Sequence, residues 1–401
     1  MPLPVLPALV TAAICSISSY GARCDNATDD SVAIQRALDD YSCATVFLPA
    51  GASCVSRALN LTRMSNRALQ IAGDLIIWRD PSTYKAPGDA HVHMFLSATS
   101  GDGSWTGSLL SNFTLSGGGR ILGGGRAWWP TGGDERPRTL WIPNASDVTV
   151  SNLTFIDSPA WNVGIRGERV LIDSMRIESG IDSCGGFGHA PNTDGFNVGG
   201  RDITVSRSWV HNGDDCVPIT TGNDGHTSDV SVSFLHCECG TNGVVVYNQG
   251  GTIERVTAHT VNVSNTNQGA GVKLARPGND ATNGLVQDIT WGPAYHISNP
   301  RYAALYINVF QEDAQPPCVL PKNPKLPNWL VVRNASFVGV SATVTKGQAA
   351  GCFRCTPGAP CDALFDGVAI QEADGEPAQP FVCLNMRGTS GGSGSSPPAC
   401  A

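Results

Sequence analysis

The chain has 401 residues, 41% of them hydrophobic and 15% charged, with 46 Gly and 14 Cys. That is enough apolar material for a large core, and low charge with abundant glycine points to a turn-rich β protein rather than a helical one. A net charge of -8 and a pI near 5.4 leave no basic stripe for nucleic acid and no long-range attraction for a polyanion, so an acidic ligand must be held by a few local cations.

An apolar run from Val5 to Ile14, followed by small and polar residues, reads as a secretory signal over residues 1–16, although no Lys or Arg precedes it. No later apolar run approaches about twenty residues, so no membrane span is expected. Seven Asn-X-Ser/Thr sequons (Asn26, Asn60, Asn112, Asn144, Asn152, Asn262 and Asn334) and the cysteine count suit an oxidising, glycosylating export route to the cell exterior or wall. Loss of Cys15 with the signal would leave thirteen cysteines, hence one without a partner in the chain.

Thr28, Asp29, Asp30 or Ser31 can cap a helix whose apolar face is Val32, Ile34, Ala37 and Leu38. Such a helix can plug the open end of a solenoid. From there a pattern of short alternating strand and polar corner repeats, at Asp147–Val150, Arg169–Ile172, Asp202–Val205, Asp229–Val232, Ile253–Val256 and Val286–Ile289. The first Val or Ile of each is separated from the next by 22, 33, 27, 23 and 33 residues, a solenoid period with loop insertions. The pattern predicts an all-β parallel β-helix over residues 17–385; a β-propeller or large sandwich is the competing architecture.

Within the repeat, Asn192-Thr193-Asp194-Gly195 is followed nineteen residues later by Asn212-Gly213-Asp214-Asp215-Cys216. Alone, either segment could be a turn or a calcium ligand set. Together they place three acids in two Gly-bounded corners. Inverting glycoside hydrolysis needs one carboxylic acid to protonate the leaving oxygen and an opposed carboxylate to activate water. Three crowded carboxylates cannot all ionise cheaply, so one should keep its proton toward neutral pH. After Cys318 the chain becomes irregular and Cys-dense; Cys352, Cys355 and Cys361 could form a zinc knuckle or, in an exported chain, disulfides. Residues 386–401, rich in Gly, Ser and Pro, read as a flexible tail.

The order and combination of these acidic segments resemble the polygalacturonase family of pectin-cleaving hydrolases, glycoside hydrolase family 28. The opening Tyr20-Gly21-Ala22 with Thr28-Asp29-Asp30 is similar to a signature spread among pectin-degrading β-helix proteins, lyases and phage spikes included. The resemblance implies a right-handed parallel β-helix with Asp214 as general acid and Asp194 and Asp215 holding the water. It also implies a disulfide behind the site from Cys216 to Cys237 or Cys239. Asn192, Asn242 and Lys273 are its candidate substrate contacts, with no cofactor, no metal and a monomer acting on pectic polysaccharide.

The chain departs from the family pattern in three places. Asn242, in Gly240-Thr241-Asn242-Gly243, stands where the family has a His, and an amide cannot carry a proton. The nearby His226 and His236 read as surface or corner residues. In Gly271-Val272-Lys273-Leu274-Ala275-Arg276 only Lys273 keeps a cation of the family's Arg-Ile-Lys clamp, with Ala275 in the Lys position and Arg276 out of phase. The family's stacking Tyr corresponds to Phe310 or Gln311. These changes leave open a variant target such as rhamnogalacturonan or xylogalacturonan, a catalytically impaired carbohydrate-binding β-helix, and a calcium-dependent lyase.

Overall fold

A computed structural model describes residues 13–84, 94–99, 107–131, 136–184, 188–274, 284–309, 330–356 and 358–391. Every ladder between its strands is parallel, each strand pairing with its counterpart one turn further along the chain. The chain forms a parallel β-helix, as the repeat predicts.

Alternation sets the inside. Val148, Val170, Ile203, Val230, Val256, Ile289 and Ala335 stand in one register, each no more than 2% exposed, and form a continuous internal stack. The fourth step differs from the sequence expectation: Val230 pairs with Val256, while Ile253 pairs with Thr227. Further along, Trp291, Phe337 and Phe365 stack face to face, with centroids 4.8 and 5.4 Å apart.

The residue before each inward Val or Ile is a left-handed bend within its strand. Asp147, Arg169, Asp202, Asp229, Arg255 and Asp288 all have φ between 52 and 57°. L-residues avoid this left-handed region, and Asn and Asp tolerate it best. Where Arg occupies the corner it pairs with the Asp one rung earlier, Arg169 with Asp147 at 2.7 Å and Arg255 with Asp229 at 2.8 Å.

The N-terminal helix spans Ser31–Asp39 and buries Ile34, Ala37 and Leu38. Val32, expected on its apolar face, is 64% exposed. Asp30 precedes the helix but does not cap it through its side chain; its carboxylate accepts instead from the Arg23 and Cys24 amides at 2.7 and 2.9 Å. At the other end the buried Arg67 guanidinium donates to the carbonyls of Leu38, Asp40 and Cys43, which supplies donors the last turn lacks.

Strands stand at both ends of the described residues. Ala13–Ser16 is a strand paired with Cys43–Leu48, and Cys15 bonds Cys43, so a leader cut that preserves this disulfide must fall before Cys15. Met386–Gly391, expected in the tail, pairs with Cys361–Asp366. Cys355 bonds Cys361, and Cys352 is also disulfide-bonded, which replaces the zinc-knuckle reading. No helix among the described residues is long and apolar enough to cross a membrane.

In the strand Val163–Asp173, Ile172 is fully buried while its neighbour Leu171 is 38% exposed. We expect Ile172→Ala to cost about 2–5 kcal/mol and Leu171→Thr less than about 0.5 kcal/mol, read from urea unfolding midpoints. Equal losses would contradict the assigned inward phase.

Candidate active site

The acids sit where corners lead into one sheet of the solenoid. Asp194 precedes the strand Phe196–His211, Asp215 precedes Val217–Thr220 and Asn242 opens Asn242–Asn248. Backbone bonds lock these rungs together: Gly195 donates to the Asp215 carbonyl and Cys216 to the Asn242 carbonyl, at 2.9 and 2.8 Å. A Cβ on Gly195 would lie 2.4 Å from the Cys216 carbonyl oxygen, and one on Gly240 would lie 2.2 Å from that of Asp214. The glycines therefore let the acid-bearing corners stack at strand spacing.

Beneath the acids, Cys216 bonds Cys237 and Cys239 bonds Cys184, so the first of the two expected partners is the one used. Cys216 and Cys237 are fully buried. Asn212 ties the corner internally, its amide donating to the carbonyls of Thr193 and Asp215, both at 2.9 Å.

Each carboxylate has a distinct setting. Asp215, 3% exposed, receives Lys273 Nζ at 2.7 Å on Oδ2, and on Oδ1 Asn242 Nδ2 at 2.5 Å and Thr241 Oγ1 at 2.6 Å. The Asn242 carbonyl oxygen in turn accepts from the Tyr306 hydroxyl at 2.6 Å. Asp214 is half-buried; its Oδ1 accepts from the Asp215 amide at 2.9 Å and lies 2.9 Å from Thr241 Oγ1, whose single proton serves either this oxygen or Asp215 Oδ1, and its Oδ2 lies 3.5 Å from Asn192 Nδ2. Asp194, 6% exposed, accepts from Asn197 Nδ2 at 3.2 Å, and Arg166 holds Asn197 through its Oδ1 at 2.6 Å.

Burial, and then the Asp215 charge, push the Asp214 carboxyl up to about 7. Burial and the charges of Asp214 and Asp215 push Asp194 well above the usual carboxylate range. Burial alone would lower the Lys273 ammonium, but Asp215, Tyr306 and Asp214 together outweigh it and hold Lys273 above the ordinary lysine value. A carboxyl that keeps its proton near neutral pH thus stands beside a carboxylate fixed by a cation. That pair can give one proton and take another.

The structure gathers all six expected site residues but changes what several of them touch. Asn192 lies between Asp214 and Arg136, whose guanidinium donates to its Oδ1 at 2.6 Å. Asn242 and Lys273 are both engaged with Asp215. His226 is 3.3 Å from Glu254, and His236 stacks on Trp209, so neither takes the place of the family His in these contacts. Ala275, Arg276, Phe310 and Gln311 lie outside the described residues. Thr241, Tyr306, Asn197 and Arg166 were not singled out from sequence. Asn197 had a signal, three residues after Asp194; Tyr306, 64 residues from Asn242, had none. The metal-type clusters among the described residues, Cys24 with Asp30 and Cys54 and His211 with Glu238 and Cys239, have their cysteines in disulfides and include none of the three acids.

A family-wide profile for the glycosyl hydrolases of family 28 matches residues 79–393. The chain belongs to that family. It is therefore a glycosidase acting on O-glycosyl bonds, which displaces the lyase alternative. A probable polygalacturonase of Arabidopsis thaliana is 24% identical over 95% of this chain and 83% of its own length. A probable endo-xylogalacturonan hydrolase of Neosartorya fischeri is 25% identical over 93% and 88%. The crystal structure of an endo-xylogalacturonan hydrolase from Aspergillus tubingensis superposes with a TM-score of 0.71 at 21% identity, covering 95% of this chain and 100% of that one.

The Asp214 setting has a consequence for folding. Below its ordinary value of 3.8 both folded and unfolded forms are protonated; between 3.8 and about 7 the unfolded chain ionises while the folded site resists. Its contribution to stability therefore falls as pH rises across that window. Asp194 acts in the same direction. Urea unfolding between pH 4 and 7.5 should show a shallower decline for Asp214→Asn than for wild type, and parallel declines would contradict the raised value.

Proposed function

We propose that the protein cleaves a pectic polysaccharide with inversion of the anomeric centre, Asp214 protonating the leaving oxygen, Asp215 taking the proton of the attacking water and Asp194 helping to hold that water. The observation that carries this reading is the asymmetry of the neighbouring pair: Asp214 pushed up to about 7, Asp215 bound to Lys273 at 2.7 Å. Opposed protonation states are what acid and base roles require. The pectic substrate is favoured by family membership and by relatives named as polygalacturonase and endo-xylogalacturonan hydrolase. A galacturonan backbone, plain or xylose-bearing, is the substrate class we assign.

The disulfides support an exported protein, its leader ending before Cys15, with a catalytic body running to residue 391. A second reading, a carbohydrate-binding β-helix with impaired catalysis, is favoured by one observation, the amide of Asn242 in place of an imidazole beside Asp215.

Reducing-end release from a panel of pectic oligosaccharides separates the two, since binding without cleavage would mark the second. Asp214→Asn keeps shape and removes the transferable proton, so turnover should fall by about 10²-fold or more with binding retained. Survival of activity within a factor of a few would exclude Asp214 as the acid. Proton NMR of fresh product should show the inverted anomer first; the retained anomer would overturn the assignment of Asp215 as a base acting on water.

A further inference from the structure

Lys273 is the cation that the family pattern would assign to a substrate carboxylate, yet it faces inward to the site's own acid. Its Nζ lies 2.7 Å from Asp215 Oδ2, the two side chains are 16% and 4% exposed, and Tyr247 covers the ammonium at 4.7 Å from its ring centroid. The opposite oxygen of Asp215 is held by Asn242 Nδ2. An ionised carboxylate only accepts, so the Asn242 amide must present its NH₂ to Asp215 and its carbonyl to the Tyr306 hydroxyl, which donates to it at 2.6 Å. Tyr306 reaches that position because its neighbour on the adjoining rung is Gly271: a Cβ there would lie 2.6 Å from the Tyr306 ring.

We propose that Lys273 and the chain Tyr306–Asn242 are positioning residues that grip the two oxygens of Asp215 from within the protein, and that Lys273 is not a clamp for a substrate carboxylate. The proposal rests on Asp215 being the base of the proposed reaction. It gives two of the departures from the family pattern, at Asn242 and at Lys273, one explanation: the imidazole is replaced by an amide, and the remaining cation and a tyrosine take over the orientation of the carboxylate. The groups facing Asp215 are Asp214 beside it, Asp194 one rung earlier and Lys273 and Tyr306 on later rungs, with Arg166 behind Asp194.

A clamp and an internal counter-ion respond differently to removal. A lost clamp raises KM for free-acid oligomers and spares esterified ones, whereas a lost counter-ion lowers kcat on both. For Lys273→Met we expect kcat to fall at least tenfold on free-acid and methyl-esterified galacturonate oligomers alike, with KM within about twofold. Lys273→Arg should recover most of kcat, and Tyr306→Phe should lower kcat and shift the acidic limb of the pH profile, the limb that reports the base. A tenfold rise in KM confined to free-acid oligomers, with kcat kept, would overturn the proposal.

A carboxyl-carbon NMR titration of Asp215 in substrate-free protein supplies a readout independent of turnover. Its midpoint should rise by more than about one unit in Lys273→Met and return in Lys273→Arg. An unchanged midpoint would overturn the proposal even if activity falls. Should wild type cleave none of the oligomers, the proposed function fails, and this titration alone still decides whether Lys273 serves Asp215.

Discussion

The parallel register between successive rungs is the constraint on which the rest depends. Because each strand pairs with its counterpart at the same in-or-out phase, one inward choice propagates from Val148 to Ala335. The same register fixes the outside. Asp194, Asp215 and Asn242 occupy equivalent places on consecutive rungs, and Gln268 pairs with Asn242 on the next. Residues distant in sequence thus share a site with no helix or domain interface to bring them together.

That economy has an electrostatic cost. Stacking equivalent positions about 4.8 Å apart brings like charges together whenever neighbouring rungs carry acids. At the outer corners the repulsion is relieved where an Arg faces the Asp one rung earlier, as in Asp147 with Arg169 and Asp229 with Arg255, although Asp202 and Asp229 adjoin. At the site it is retained, with three carboxyls and one close ammonium. Burial and like charge push the Asp194 and Asp214 carboxyls above their usual range, and the Lys273 ammonium pairs with Asp215. The same physics that stabilises the ridge is left uncompensated where chemistry is needed.

The fold was legible because its signal is local and repeated: a period-two run of Val and Ile with a polar residue before it. What was not legible was phase at single positions. Nothing in the period-two run marks Asp147 and its equivalents as left-handed bends within their strands, and Val32, expected on a buried helix face, points to solvent. The acids were legible through two short motifs and a family resemblance. Their partners were not, since Tyr306 meets Asn242 through two rungs of intervening chain and Lys273 turns toward Asp215 because of burial, which no spacing rule encodes. The alternative left between Cys237 and Cys239 shows the same limit, for the choice depends on which of two nearby positions faces inward.

The corner geometry also changes how the sequons are to be understood. Asn26, Asn112, Asn152 and Asn334 all occupy left-handed positions, with φ of 63, 47, 51 and 47°. Asparagine is chosen there because it tolerates that conformation, and a Ser or Thr two residues on is common in a β-helix strand. Four of the seven sequons are thus accounted for by backbone shape without reference to sugar attachment. A count of sequons in a β-helix overstates secretory history by the number that fall on corners. Any glycan these four do carry would crown the exposed ridges of the solenoid and leave its flat faces open to a polymer.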